Sequence, residues 1–229
     1  MTGPVRRTVR GAVLILAASP LVAQQPSPGS GDAEAEVRAT FEAYRQALIT
    51  GDGERAAGLV DRETGEYYRQ LKRLVLEGGE EEVRQRTFVD RFLIVAFRHE
   101  FDAAELREMD LAAVIVRAME IGWINGAAIE QLAVGEVRIE GDEAWAAART
   151  RASLEDPSLG GGIDELEYRF VNEDGIWKFR FSGLVASIGE VMQELAAQLG
   201  VEEDDLIFTL IESLTGVKVL PDVWDAVEP

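Results

Sequence analysis

The spacing of apolar residues in this chain changes twice, and the two changes divide it into helix, sheet and helix. From Asp32 to Gly122 apolar residues recur every three or four positions, from Gln131 to Ser182 they alternate, and beyond Gly183 the wider spacing returns. A period near 3.6 puts apolar side chains on one face of a helix, whereas a period of 2 puts them on one face of a strand. The expected fold class is therefore α+β, with N-terminal helices packed on an antiparallel sheet of about four strands and a two-helix C-terminal extension.

In the first helical part, Val37, Phe41, Tyr44 and Leu48 share a face, and Gly51-Asp52-Gly53 ends the pattern. A short helix over Glu54 to Val60 follows. Asp61 can cap the next helix, in which Tyr67, Leu71, Leu74 and Val75 align up to Gly78-Gly79. Two more helices are expected over Thr87 to Glu100 and Asp110 to Ile121, with a capping-box pattern from Asp102 to Glu105 between them. The alternating part predicts strands over Leu132 to Glu140, Ala144 to Leu154, Ile163 to Asn172 and Ile176 to Ser182. Gly141-Asp142 and Asp174-Gly175 read as hairpin turns, where glycine accepts positive backbone angles. Asp156 to Gly162 reads as a longer connection, because it lacks the Gly-Lys-Ser/Thr ending of a phosphate loop. The extension predicts helices over Ala186 to Leu199 and Glu203 to Leu214, closed by Gly200 and Gly216.

The chain begins with a secretory pattern: Arg6, Arg7 and Arg10, an apolar stretch from Gly11 to Val22, and Ala23 as a small residue for cleavage before Gln24. That stretch is about 12 residues, short of the roughly 20 that cross a bilayer, so no membrane span is expected after processing. Residues 1–23 are thus expected to be a signal peptide, 24–31 a flexible lead, 32–184 the α+β domain and 185–229 an acidic helical extension. The expected location is exported, periplasmic or extracellular. The chain has no cysteine and one histidine, which excludes thiol chemistry and Cys-zinc sites; no metal or cofactor site is read from it. A formal net charge of -19 repels phosphate backbones, so nucleic acid is not an expected partner.

The order of helices followed by a meander of long strands resembles the nuclear transport factor 2-like superfamily, which includes ketosteroid isomerases, polyketide cyclases and many non-catalytic proteins. The stretches that carry the resemblance are Phe41-Glu42-Ala43-Tyr44-Arg45-Gln46-Ala47-Leu48-Ile49-Thr50-Gly51-Asp52 and Asn172-Glu173-Asp174-Gly175-Ile176-Trp177-Lys178-Phe179, within a span from Ala33 to Gly183. The resemblance implies a cone, with the sheet curved around the helices and any ligand held on its concave side. The helical stretch from Asp61 to Gly122 is longer than that core requires, and the C-terminal helices are an addition.

Hairpin parity then predicts which residues face inward. A two-residue turn at Gly141-Asp142 pairs Ile139 with Ala144 and Val137 with Ala146, and puts Ala148 and Thr150 on the same face. The second hairpin adds Leu166, Tyr168, Phe170, Trp177, Phe179 and Phe181. The ligand-pocket candidates are Tyr168, Phe170, Trp177, Phe179, Phe181, Thr150 and His99, with no residue assigned as catalytic. The expected role is a non-catalytic exported domain that binds a small apolar ligand or an envelope protein partner. The alternatives are a cofactor-independent isomerase or cyclase using Tyr168 and His99, and a structural domain with a filled core. Trp145 falls on the outer face among charges, where the C-terminal helices or a second copy of the chain would cover it.

Overall fold

Side-chain caps set most of the helix starts. A computed structural model describes residues 30–159 and 166–227. The expected signal peptide, nearly all of the flexible lead, and the Gly160–Gly162 connection lie outside the described residues. Helices α1 (Ser30–Thr50), α2 (Gly53–Gly58), α3 (Arg62–Glu77), α4 (Glu80–Arg84), α5 (Phe88–Glu100), α6 (Ala103–Glu108), α7 (Leu111–Glu120) and α8 (Gly126–Gln131) precede the sheet. Asp52, Asp61, Thr87, Asp102, Asp110 and Asn125 each accept a hydrogen bond from a first-turn amide at the start of α2, α3, α5, α6, α7 and α8. Such caps satisfy donors that have no partner inside the helix.

The strands β1 (Leu132–Glu140), β2 (Glu143–Thr150), β3 (Glu167–Glu173) and β4 (Ile176–Arg180) form one antiparallel sheet in the order β1-β2-β3-β4. The predicted pairs Ile139 with Ala144 and Val137 with Ala146 are present, and a bulge then brings Val134 opposite Ala148. Gly135 sits in that bulge, where an added Cβ would lie 3.0 Å from Arg149 Cγ. The bulge carbonyls of Val134 and Gly135 accept from the Arg38 guanidinium of α1 at 3.1 and 2.7 Å. At the other edge, Leu59 to Asp61 pairs with β4: Phe179 N donates to Leu59 O at 2.8 Å and Asp61 N donates to Phe179 O at 3.0 Å. Part of each outer strand is thereby covered, β1 by the Arg38 side chain and β4 by the connection between α2 and α3.

Two strand boundaries differ from expectation. The second strand ends at Thr150, because the Thr150 hydroxyl accepts from Ser153 N, Ser153 Oγ accepts from Thr150 N, and α9 (Arg151–Glu155) begins there. Thr150, the last residue of β2 and the partner of Leu132, therefore caps a helix with its hydroxyl. The fourth strand stops at Arg180, and α10 (Phe181–Leu199) starts without a break, with Phe181 N donating to Thr64 Oγ1 at 3.0 Å. Helix α11 (Glu203–Thr215) follows, and α10 and α11 end at Gly200 and Gly216 with left-handed backbone, where glycine is favoured. Helix α6 begins after Asp102, where the capping pattern lay, whereas the short helices α4 and α8 were not expected from the sequence.

The interior has three apolar clusters. Val37 and Phe41 of α1 pack on the inward row Ala144, Ala146, Ala148, Tyr168, Phe170, Trp177 and Phe179. Ala47, Leu48, Ala56 and Ile115 join α1, α2 and α7. The largest cluster holds α3 and α5 against α10, α11 and the C-terminal Val219 and Trp224. Close approach of α2 to α7 depends on Gly53, where a Cβ would meet Ala112 O at 2.4 Å. The extension is thus part of the core, joined to α5. Trp145 is half-buried on the outer face, and the Arg138 guanidinium lies over its ring at 4.8 Å. The cover expected from a tail or second copy is supplied at least in part by this neighbouring arginine. No helix among the described residues is long and apolar enough to cross a membrane.

Candidate functional site

The three clusters leave a space where they meet. A cavity of about 310 Å³ lies between α1, α3, α5, α7 and the inward face of the sheet. Phe41, Tyr44 and Leu48 form its α1 wall, Tyr68 and Leu71 its α3 wall, and Val114, Ile115 and Ala118 its α7 wall; Leu93 and Phe97 come from α5. Tyr168, Phe179, Phe181 and Leu184 close the side formed by the sheet and the start of α10. A volume near 300 Å³ is at the small end of natural ligand pockets.

Of the predicted pocket residues, Tyr168, Phe179 and Phe181 line the cavity. Phe170 and Trp177 point to the same side of the sheet but are buried against α1, away from the cavity wall. Thr150 caps α9, as described above. His99 is on the side of α5 that meets α11: its Nε2 lies 3.3 Å from Thr215 Oγ1 and 3.7 Å from a Glu100 carboxylate oxygen. It is not among the lining residues. The α7 residues were missed by sequence reasoning, since their apolar spacing reports only that one face of that helix is covered.

The aromatic rings form a connected group. Phe41 and Tyr168 have centroids 5.0 Å apart, Tyr44 and Phe179 5.1 Å, and Tyr168 and Phe179 6.0 Å in an edge arrangement. These separations are those of favourable ring pairs. Most polar atoms at the wall are already engaged. Arg45 makes a two-pronged ion pair with Glu42 at 2.5 and 2.9 Å and donates to Glu130 O at 3.2 Å. Hydrogen bonding to Arg45, opposed by partial burial, holds the Glu42 carboxyl below its ordinary range. Thr64 Oγ1 donates to Asp61 Oδ1 at 2.6 Å, and Tyr68 Oη donates to Met109 O at 3.1 Å.

Tyr67 Oη donates to Asp90 Oδ1 at 2.7 Å. Its ring lines both the cavity and a surface groove formed with Thr87, Ser182 and Gly189. The hydroxyls of Tyr44 and Tyr168 have no hydrogen-bond partner among the described residues. Tyr168 as a residue is 5% exposed, but its hydroxyl is not among the fully buried side-chain atoms that lack a partner.

Burial pushes the phenols of Tyr44, Tyr68 and Tyr168 up to about 12, and burial together with Asp90 pushes Tyr67 higher still. These are the four tyrosines of the chain. Unfolded tyrosine ionises near pH 10, so between about pH 10 and 12 the unfolded chain releases protons that the folded chain retains. The tyrosine contribution to stability is therefore complete below pH 10 and is lost as the pH rises toward 12. Tyrosinate absorbance at 295 nm is expected to stay flat through pH 10 and then rise together with loss of ellipticity. A simple titration near pH 10 in the folded protein would contradict this burial.

No protein-family model, curated protein or solved structure matches the chain.

Proposed function

We propose that this chain is an exported ligand-binding domain of the nuclear transport factor 2-like kind, holding a small apolar molecule between its helices and the concave face of its sheet. The observation that carries the reading is the cavity of about 310 Å³ with an almost entirely apolar wall. A void of that size forfeits packing contacts unless something fills it. The helix-then-meander order, and α1 lying across the sheet, support the cone-like resemblance. Neither a carboxylate nor a histidine is among the lining residues, which favours binding over acid–base turnover.

A fluorescence titration with N-phenyl-1-naphthylamine tests this reading. The full chain is expected to bind the dye at one saturable site. Ala118→Phe fills the α7 wall and should weaken binding about tenfold or more while leaving the urea midpoint unchanged or raised. Ile129→Phe serves as a second filling variant. Dye binding that ignores both substitutions would place the dye elsewhere and remove the support for this function.

A further inference from the structure

We propose that Tyr67 is a gate: its ring swings aside to let the ligand pass between the surface groove and the cavity, and the Asp90 carboxylate latches it shut. The inference rests on the ligand-binding reading above and adds the route of entry. Tyr67 is common to the walls of the two spaces. Beside it, the first turn of α10 divides them: Phe181 and Leu184 line the cavity, whereas Ser182 and Val185 line the groove. A helical turn is fixed by its backbone bonds, but a tyrosine ring turns about two side-chain torsions. With open space on either side, the Tyr67 ring can move without displacing a helix.

One hydrogen bond holds the ring in place. Tyr67 Oη, on α3, donates to Asp90 Oδ1, on α5, at 2.7 Å. Burial and the Asp90 carboxylate keep the phenol protonated, so the bond persists at neutral pH. The latch lies on the polar side of the partition, where Thr87, Ser182 and Gln193 line the groove, and the ring borders the apolar space behind it. A second surface hollow shares Tyr68 and Leu111 with the cavity. Tyr68 is the more buried of the two tyrosines, 8% exposed, and it bonds a Met109 carbonyl that Lys72 Nζ also reaches at 2.7 Å. The freer ring is therefore that of Tyr67.

Stopped-flow fluorescence of the full chain with N-phenyl-1-naphthylamine reads the rates of entry and exit. A latch that must open in both directions slows both, and its bond is present in the free and the loaded protein. Tyr67→Phe is therefore expected to raise the association and dissociation rates together, about tenfold each, the worth of one hydrogen bond to a carboxylate. Asp90→Ala removes the same bond, so the double variant should exchange the dye no faster than Tyr67→Phe. The chain has no cysteine, so Gln193→Cys takes a single pyrene maleimide at the groove, and this label should slow both rates. Circular dichroism and urea unfolding of each variant confirm that folded proteins are compared. Unaltered rates in Tyr67→Phe, effects of the two single variants that multiply, or a labelled chain that exchanges dye at the wild-type rate overturn the gate. So does a rise in dissociation alone, which would make Tyr67 a ligand contact. In those cases the binding function still stands if the dye responds to Ala118→Phe. If the dye never binds, both readings fall.

Discussion

Asp61→Ala is expected to lower the stability of the chain by about 4 kcal/mol, from loss of a buried charge pair together with a helix cap. The Asp61 side chain is 0% exposed. One carboxylate oxygen accepts from Thr64 N at 2.9 Å and Thr64 Oγ1 at 2.6 Å, and the other accepts from Arg180 Nε at 2.6 Å. Alanine removes all three contacts and leaves Thr64 Oγ1 without its acceptor. Arg180 keeps Glu143 at 3.2 Å and Glu63 at 3.5 Å, but both are about half exposed and are weaker partners in water. Asp61→Asn retains an acceptor for the helix cap and should lose roughly half as much. Urea unfolding at constant slope measures both changes. A loss below about 1 kcal/mol for Asp61→Ala would mean that Glu63 and Glu143 carry the arginine.

The same substitution should reach the cavity. Thr64 Oγ1 accepts from Phe181 N, and both residues line the cavity wall. Asp61 orients Thr64, and Thr64 fixes the point where β4 passes into α10. Releasing that point lets the wall near Phe181 and Leu184 move, so naphthylamine affinity should fall along with stability. A pure stability loss, with affinity intact at low temperature, would separate the cap from the cavity.

The second large effect is expected at Arg98, where Arg98→Met should cost roughly 2–4 kcal/mol. Its guanidinium donates to Leu74 O, Val75 O and Gly78 O at 2.8, 2.8 and 2.5 Å, at the end of α3. It also donates to Val223 O and Trp224 O at 3.1 and 2.8 Å. One side chain thereby satisfies carbonyls at the end of α3 and ties the C-terminal segment to them. Burial pushes the guanidinium down to about 10, which still leaves it charged at neutral pH. Methionine matches much of the stem and provides no donor. Beyond the global loss, the segment around Trp224 should open locally, raising hydrogen exchange after Leu220 and proteolysis there. Arg98→Lys should rescue little, because a single ammonium cannot reach carbonyls spread across a planar fork. Full stability of the methionine variant would show that Trp224, packed against Phe208 at 5.6 Å and under Arg84 at 4.4 Å, holds the segment unaided.

The positions of most long elements were legible in the sequence, because their causes are local. Val37, Phe41, Tyr44 and Leu48 repeat at helical spacing, and the structure buries Val37, Phe41 and Leu48 beneath the sheet or α7. Asp61 caps α3 as its position before Arg62 implies. The Asp174-Gly175 turn has positive φ at both residues, 55° and 85°, as a tight two-residue hairpin requires. That turn fixes the register of Phe170 opposite Phe179, and hence places Tyr168 on the inward face.

What the tertiary structure decided lies in packing between distant segments, which spacing along a chain does not encode. The alternating pattern runs on past Thr150 and through Phe181, but the strands stop at Thr150 and Arg180, because a reciprocal cap between Thr150 and Ser153 and a bond from Phe181 N to Thr64 Oγ1 hold the backbone in helix starts. His99 shares α5 with the cavity residues Leu93 and Phe97, yet it faces Thr215 of α11. Periodicity established that α7 had a covered face; only its approach to α1, α3 and α5 showed that part of this face borders a void. A cavity is a mismatch between the volume enclosed by packed elements and the volume of the side chains within it. The sequence determines those side-chain volumes, whereas the enclosed volume exists only once the elements have come together.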